Sequence, residues 1–562
     1  TEFGKTSAHN HVVTSSPITS HTVKQIALKN AGGGWDGVDT EPLMRTVGTG
    51  DDAVTYAYIL YDGRGDSGRL VKINCSETNP VIVWDVQISG SNGFQLSNPL
   101  LVPGTVDSET NDAIYLAASN AAKNSGVSIA NDISIASGSS ATVTCSGLTL
   151  ATTTNRVAIG VLLGEYSTQQ TSFSAHGSAS LSLTGGTTTS ITLNPDAATS
   201  STNYHVVEEV VQDTVNNTVT YQYWWYINQN ISGTTGSGKT LTATINLTDH
   251  AGTIKSAQMF GQSGAIQKVT NLGATSADDV VVTTIKSGIT GQINTPITTD
   301  GTYLYFGTYT GYNTAGTYYQ ITKTGSLQGS FTTSNDGNYG FYWAGAATDG
   351  TRVYFGRDNG KVFWRSVSDF TNTGDCIDLS DTVSSPGNVR STIMIDGGKL
   401  YFTSQGGYLW CCSYNTDLDN LVVDWYTALR NSTNTANVTS TSTPTKVGNR
   451  IYVGCYGGTG KSGVKCIDAT THSETYVIQS NSLPVQCSIV VNGSGTGTDY
   501  LYFVTNYASG TGYCYSWDGT TATLVWSGTG TGIDQTYALG GMSIENGISV
   551  YGNDHNYVSV VK

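Results

Sequence analysis

"GKLYFTSQGGYLWCCSYNTDLDNLVVDW", residues 398–425, alternates apolar and polar positions through three short runs separated by Gly- and Asn-rich turns. Alternation of this kind sends successive side chains to opposite faces of a sheet. Its first run belongs to a series, each member centred on a tyrosine. The series reads "TYAYILY" at Tyr58, "DAIYLAA" at Tyr115, "TYLYFGT" at Tyr305, "TRVYFGR" at Tyr354, "GKLYFTS" at Tyr401, "NRIYVGC" at Tyr452, "DYLYFVT" at Tyr502 and "GISVYGN" at Tyr551. The last six anchors are spaced by 49, 47, 51, 50 and 49 residues. Units of three or four strands at a period near fifty are the pattern of propeller blades. A small sheet with two apolar faces covers both by packing radially on its neighbours, and closing the ring leaves few strand edges unpaired.

Many units also end in a tryptophan. "LVKINCSETNPVIVWDV" (70–86) aligns with "LWCCSYNTDLDNLVVDW" (409–425) and with "CYSWDGTTATLVW" (514–526). Trp84, Trp425 and Trp526 are therefore expected at equivalent, buried places. In the same alignment Cys75, Cys411–Cys412 and Cys466 fall at about one strand position in three blades.

Between Tyr115 and Tyr305 lie 190 residues where one repeat needs about fifty. The excess predicts an insert over 124–256, leaving 51–123 and 257–562 to the propeller. Within it, "SASLSLTG" (178–185), "TSITLNP" (189–195), "TVTYQYWWYIN" (218–228) and "KTLTATINLTD" (239–249) alternate at period two. About seven short strands with turns every 8–12 residues read as an immunoglobulin-like β-sandwich. The consecutive Trp224, Trp225 and Tyr226 put at least one aromatic outside the sandwich core, either over the blade junction or on an outward surface. Residues 1–50 match no blade, and "SHTVKQIALKN" (20–30) is expected to close the terminal blade, with pairing to a neighbouring molecule as the alternative. The fold expected is all-β: a propeller of seven or eight blades with an inserted sandwich.

The composition agrees, with 67 Gly, 33 Tyr and only 12% charged residues. A formal net charge of −15 argues against nucleic acid, whose binding depends on neutralising phosphates, and against charge-driven adhesion to anionic membranes. No apolar run reaches the length of a membrane span. The chain opens at Thr1 without Met or an apolar leader, as expected of a processed form. Sequons at Asn74, Asn216, Asn230, Asn246, Asn431, Asn437 and Asn492 are candidate glycosylation sites. Nine cysteines without a C-x-x-C pair support neither zinc nor haem attachment, and the odd number leaves at least one free or intermolecular thiol.

Other motifs are weaker than they look. "GTTGSGKT" (233–240) matches the phosphate-loop pattern, but "LTATINLTD" follows with strand periodicity where that chemistry needs a helix N-terminus. "GGTGKSG" (457–463) is read as a turn, as is "RGD" (64–66), and "HNH" (9–11) as a solvated tail. The remaining histidines show no metal-ligand spacing, and no Ser/His/Asp grouping emerges. No catalytic residue, metal ligand or cofactor is assigned.

The strand–turn–strand unit with its small turn ("KCIDATTHSETYVI", 465–478) and terminal Trp resembles the quinoprotein-type repeat of the pyrroloquinoline-quinone-like propellers, over roughly 50–120 and 260–562. That resemblance implies a quinone site with a disulfide between adjacent cysteines, a carboxylate base and a calcium ion, which directs attention to Cys411 and Cys412. Their alternation along a strand instead sends them to different faces. Candidate disulfide cysteines are Cys75, Cys411, Cys412 and Cys466. Low charge, abundant Ser, Thr, Gly and Tyr and the sequons resemble archaeal sheath and surface-layer proteins of methanogen type. The function expected is a self-assembling extracellular structural protein of a cell envelope, whose partners are copies of itself and glycans. The alternatives are a secreted quinoprotein oxidoreductase and a surface adhesin acting through the insert.

Overall fold

A computed structural model describes residues 11–29, 31–32, 37–62, 68–89, 97–105, 108–118, 129, 131–150, 153–193, 204–213, 218–261, 264–311, 313–333, 338–457 and 462–562. Among them the regular structure is β-strand apart from three single-turn 3-10 segments. Eight antiparallel sheets follow one another along the chain. Sheet 1 spans 43–89, sheet 2 joins 100–118 to 264–289, and sheets 3 to 7 span 292–332, 347–378, 394–428, 445–479 and 490–527. Sheet 8 takes three strands from 543–561 and its outer strand, Val23–Ala27, from the other end of the chain. The N-terminal segment thus pairs into sheet 8 within the molecule.

The ring is visible in the cores. Each sheet alternates its side chains between two neighbours. Tyr58, Leu60 and Trp84 of sheet 1 pack with Leu101, Ile114 and Leu116 of sheet 2. Tyr115 and Ile266 of sheet 2 pack with Leu304 and Phe306 of sheet 3. The series continues around to Val550, Val558 and Val560 of sheet 8, which meet Ala57, Ile59 and Tyr61 of sheet 1. This arrangement is a β-propeller.

All eight anchor tyrosines sit on the second strand of their sheets, and all are buried. A buried phenol requires a hydrogen-bond partner, and the sequence provides one in several repeats. Tyr305 donates to Asp300 at 2.8 Å and Tyr354 to Asp349 at 2.6 Å, each aspartate opening the turn five residues earlier. Tyr452 donates to Asp499 of the next repeat at 2.6 Å. Tyrosine thus recurs because one residue fills the interface and reaches a polar rim.

The tryptophans are equivalent. Trp84, Trp425 and Trp526 face Lys72, Cys411 and Cys514, each beside a bulge in the pairing. Trp84 and Trp526 are buried, but Trp425 is half-buried, stacked on His472 with ring centroids 4.1 Å apart. The cysteine alignment also needs correcting. Cys411, Cys466 and Cys514 lie opposite anchor tyrosines. Cys75 lies beyond the end of its strand, where Lys72 holds the equivalent place.

The insert forms two sheets, of five and four strands, around one core that includes Trp225. Its last strand, Gly252–Gly261, pairs with Thr154–Tyr166 and with Ile133–Ile135. The expected boundary at 256 therefore cuts a strand, and the true one lies between Gly261 and Gly264. Among the described residues the insert has nine strands rather than about seven.

Candidate functional site at the ring axis

The segment preceding the innermost strand of each sheet turns toward one cavity. Asp39 and Glu41 precede sheet 1, Asn98 sheet 2, Trp343 sheet 4, and Arg390 and Thr392 sheet 5, while Pro296 lies between the sheet 3 strands Gln292–Ile293 and Thr298–Thr299. Thr441 and Thr443 precede sheet 6, Gln486 and Ser488 sheet 7, and Leu539 and Gly540 sheet 8. A site to which all eight sheets contribute is the axis of the ring. Its volume is about 80 Å³, room for a few waters and well below the few hundred Å³ of a typical small-molecule pocket.

The polar groups there are engaged with one another. Arg390 grips Asp358 through two hydrogen bonds of 2.8 and 2.6 Å and lies 4.4 Å from the ring centre of Tyr342. Burial works against the guanidinium charge, but the bonds and charge of Asp358 outweigh it and hold Arg390 above its ordinary range. Burial also raises the Tyr342 phenol. Glu41 receives the Ser543 hydroxyl at 3.3 Å and faces the His11 ring at 3.5 Å, while its backbone N–H donates to Asn98 at 2.9 Å. The Thr392 N–H donates to Thr443 at 3.0 Å, and the Thr441 hydroxyl to the Gln486 carbonyl at 3.0 Å. Trp343 holds φ +57°, a left-handed conformation costly for a bulky residue. The hydrogen bonds tie the entry segments of several neighbouring sheets to one another. No group suited to hold a metal occurs among the described residues.

The cysteines settle the quinone comparison. Cys411 packs with Tyr401 and Ile451 on one face of its sheet, whereas Cys412 packs with Trp364 and Leu400 on the other. Cys75, Cys411, Cys412 and Cys466 are buried thiols without a disulfide, so the candidate bridges do not form. The residues do not fit the quinone site that the resemblance implies. Burial pushes the Cys75, Cys411, Cys455, Cys466, Cys487 and Cys514 thiols up to about 12, and Cys412 well above its usual range. Thiols held protonated are unreactive. Eight of the nine cysteines are buried, and Cys376, on an outer strand, is half-exposed. A water-soluble disulfide reagent is therefore expected to modify at most about one thiol per folded chain, and all nine after denaturation. Rapid reaction of several in the folded state would contradict the packing.

Three sequons have their amide nitrogen engaged. Asn431 donates to Thr435 at 3.0 Å, Asn437 to the Gly406 carbonyl at 2.9 Å, and Asn492 to the carbonyls of Val13 and Ser15. Asn230 and Asn246 are exposed, Asn74 is half-buried, and Asn216 lies outside the described residues. Glycopeptide mass spectrometry is expected to find glycans at Asn74, Asn230 or Asn246 and none at Asn431, Asn437 or Asn492, where a sugar displaces a bond of the fold. Occupancy at Asn431 would refute this.

The phosphate-loop match enters the strand Gly236–Leu247, and Lys239 donates to Thr234 at 2.6 Å within the turn. No helix follows, so the motif is a hairpin. "RGD" (64–66) and His9 lie outside the described residues, while His11 of the same tail is buried against Glu41. Two histidines meet aspartates, His176 with Asp249 at 2.5 Å and His555 with Asp534 at 3.0 Å. The first pair lies on the insert surface, and Asp534 also binds Gln25 of the closing strand.

A second cavity, about 420 Å³, opens where the insert meets sheets 8 and 1. Ile26, Lys29, Ile82, Asp85, Glu209 and Trp224 line it. Trp224 stacks on Tyr226 at 5.4 Å, with the Lys29 ammonium 5.4 Å from the Tyr226 ring. These aromatics cover the junction between insert and ring, one of the two places open to them from sequence.

Sequence reasoning missed the axial residues. Their signal is positional: each lies a few residues ahead of an innermost strand, in segments with no common residue type.

No family model and no curated protein matches the chain. Among solved structures, BamB from Moraxella catarrhalis aligns over 54% of this chain and 80% of its own, at 13% identity and a TM-score of 0.34. Sqt1 of Saccharomyces cerevisiae aligns over 53% and 79%, at 11% identity and 0.35. A chain of the mitotic checkpoint complex aligns over 54% and 82%, at 11% and 0.37.

Proposed function

We propose that the eight sheets are the blades of one propeller, that the insert is an immunoglobulin-like module, and that the protein is a self-assembling extracellular structural component of a cell envelope, as sheath, surface layer or filament. The supporting observation is the rim. The outer strands of sheets 2, 3 and 7 carry Val281, Leu327 and Leu524, which are 49–50% exposed, and Leu418, in the turn between the sheet 5 strands Tyr408–Asn415 and Asn420–Ala428, is 66% exposed. The outer strand Ala522–Ser527 contains neither a charge nor a proline, the usual guards of a free strand edge, so this edge suits pairing with other chains. Leu327–Thr332 is as plain, but its Ser330 N–H already donates to Thr371 at 3.2 Å. The rim explains assembly without membrane insertion, and no described helix is long and apolar enough to cross a membrane. With Cys376 alone among the cysteines partly accessible, association between copies is carried by strand edges and apolar contacts rather than by a disulfide network.

Light scattering over a concentration series, with negative-stain images of native material, tests this reading. Growth beyond the 59.2 kDa chain into ordered polymers is expected. A monomer at all concentrations removes it. A second reading, a surface adhesin, draws on the cleft beside Trp224, since an aromatic face flanked by carboxylates suits a sugar. Glycan-array binding lost in Trp224→Ala would favour it.

A further inference from the structure

The segment 11–28 is an arm laid over two sheets other than the one that follows it in sequence. Val12 pairs in parallel with Val491 of sheet 7, and the Val13 N–H donates to the Val491 carbonyl at 2.8 Å. The Ile18 carbonyl accepts the Trp526 indole N–H at 2.9 Å, and the Ile18 N–H donates to the Tyr502 hydroxyl at 3.0 Å. Val23–Ala27 then pairs antiparallel with Tyr557–Val561, and Gln25 exchanges two hydrogen bonds with the Asp534 backbone at 3.0 and 2.7 Å. In the other seven sheets the outermost strand is continuous with the strand beside it through a turn or short loop. The arm's strand reaches its partner through more than five hundred residues of chain, so the contact is non-covalent in every local sense.

The arm carries only part of the closure: Ile26 and Leu28 pack in the core between sheets 8 and 1, and His11 meets Glu41 at 3.5 Å. Sheets 8 and 1 also meet through contacts that do not use residues 11–27. The Thr46 N–H donates to Glu545 at 2.8 Å, the Ser543 hydroxyl to the Pro42 carbonyl at 2.6 Å, and Val38 packs with Ile548 and Val558. Removing the arm leaves a ring whose eighth sheet presents a bare edge, four of whose five residues are buried.

We propose that the arm 11–28 is the element that joins copies: each chain lays its arm on sheets 7 and 8 of the next. The inference rests on the self-assembly reading and names its interface. Exchange recreates the contacts with sheets 7 and 8 between two chains instead of within one, and its cost is the Ile26 and Leu28 packing on sheet 1, the His11–Glu41 contact and association entropy. Because the donated surface and the accepting surface differ, the contact is heterologous and runs on as an open filament unless geometry closes it. The sheet edge gives affinity through main-chain bonds, and the Trp526 contact with Ile18 fixes the register.

The register supplies the test. Thr22 and Lys562 exchange both backbone hydrogen bonds, at 2.8 and 3.2 Å, so Gln25 and Ser559 face each other at a non-hydrogen-bonded position. Cα atoms there are about 4.5 Å apart, within disulfide range. Full-length Gln25→Cys and Ser559→Cys chains, each in a Cys376→Ser background, are assembled as a mixture and oxidised. Covalent dimers in the mixture, with none from either chain alone, are expected. The double variant oxidised as a monomer is expected to lose assembly and to regain it on reduction. Polymers that form without covalent dimers, and persist in the oxidised double variant, overturn the exchange and leave self-assembly standing. Covalent dimers that never grow further uphold the exchange and overturn the filament. A chain that neither assembles nor cross-links overturns both.

Discussion

Glu109→Ala is expected to destabilise the ring by about 3–5 kcal/mol, a large effect for one carboxylate in a protein of this size. Glu109 lies at the junction of sheets 1 and 2, where the Lys72 ammonium reaches it at 2.7 Å and the Tyr58 hydroxyl donates to it. Lys72 is 2% exposed and also donates to the Leu272 carbonyl at 2.8 Å. Beside them Arg45 binds the fully buried Asp112 at 2.8 Å. Removing the Glu109 carboxylate leaves an ammonium buried among Tyr56, Tyr58 and Trp84, with its charge uncompensated. Burial already lowers the Lys72 pKa, against the pull of Glu109, so the variant lowers it further. A base whose folded pKa is depressed binds fewer protons folded than unfolded, so the lost stability returns as pH rises toward the ordinary lysine range. Urea unfolding at pH 7 and pH 9.5 measures both effects. Lys72→Met/Glu109→Gln removes the charge while keeping an acceptor for Tyr58, and is expected to recover most of the loss. A double variant as unstable as Glu109→Ala would show that the site is held by packing and not by charge.

That pair marks a boundary in what the sequence makes legible. The anchor tyrosines could be read because period-two alternation and a period near fifty report burial on both faces of a sheet, repeated by the ring. Trp84 and Trp526 followed from the same alignment. The partner of Lys72 lies in the next repeat, 37 residues away, and no local pattern links them. The axial cavity was illegible for a related reason. Asp39, Asn98, Trp343, Arg390 and Gln486 share a place in space but no residue type, because each irregular entry segment satisfies its own neighbours. The arm was half legible. Val23–Ala27 reads as a strand, whereas "HNH" (9–11) reads as a solvated tail although His11 is buried. The insert boundary slipped because Gly252–Gly261 alternates like a blade strand, and only pairing distinguishes them.

Trp526→Ala is expected to cost about 3–5 kcal/mol and, beyond that, to loosen the arm. The indole is 2% exposed, packs at 6.1 Å from Tyr502 and 5.7 Å from His21, and donates its N–H to Ile18. Truncation opens a void under the arm and leaves the buried Ile18 carbonyl without that donor. Amide exchange over residues 12–27 should therefore accelerate more than exchange in sheets 3 and 4, which the indole does not touch. Trp425→Ala is the internal control, since the two tryptophans occupy the same register beside the same kind of bulge. Trp425 is half-buried and stacks on His472 of the neighbouring sheet, so its loss removes a smaller area, about 1–2 kcal/mol, and leaves the arm untouched. Equal costs for the two variants would mean that burial in the interface does not set their contribution. Unchanged arm exchange in Trp526→Ala would mean that the main-chain pairing of Val23–Ala27 holds the arm by itself. In that case strand exchange between copies would be governed by the sheet edge alone, and arm sequences differing at Ile18 should cross-assemble as readily as identical ones.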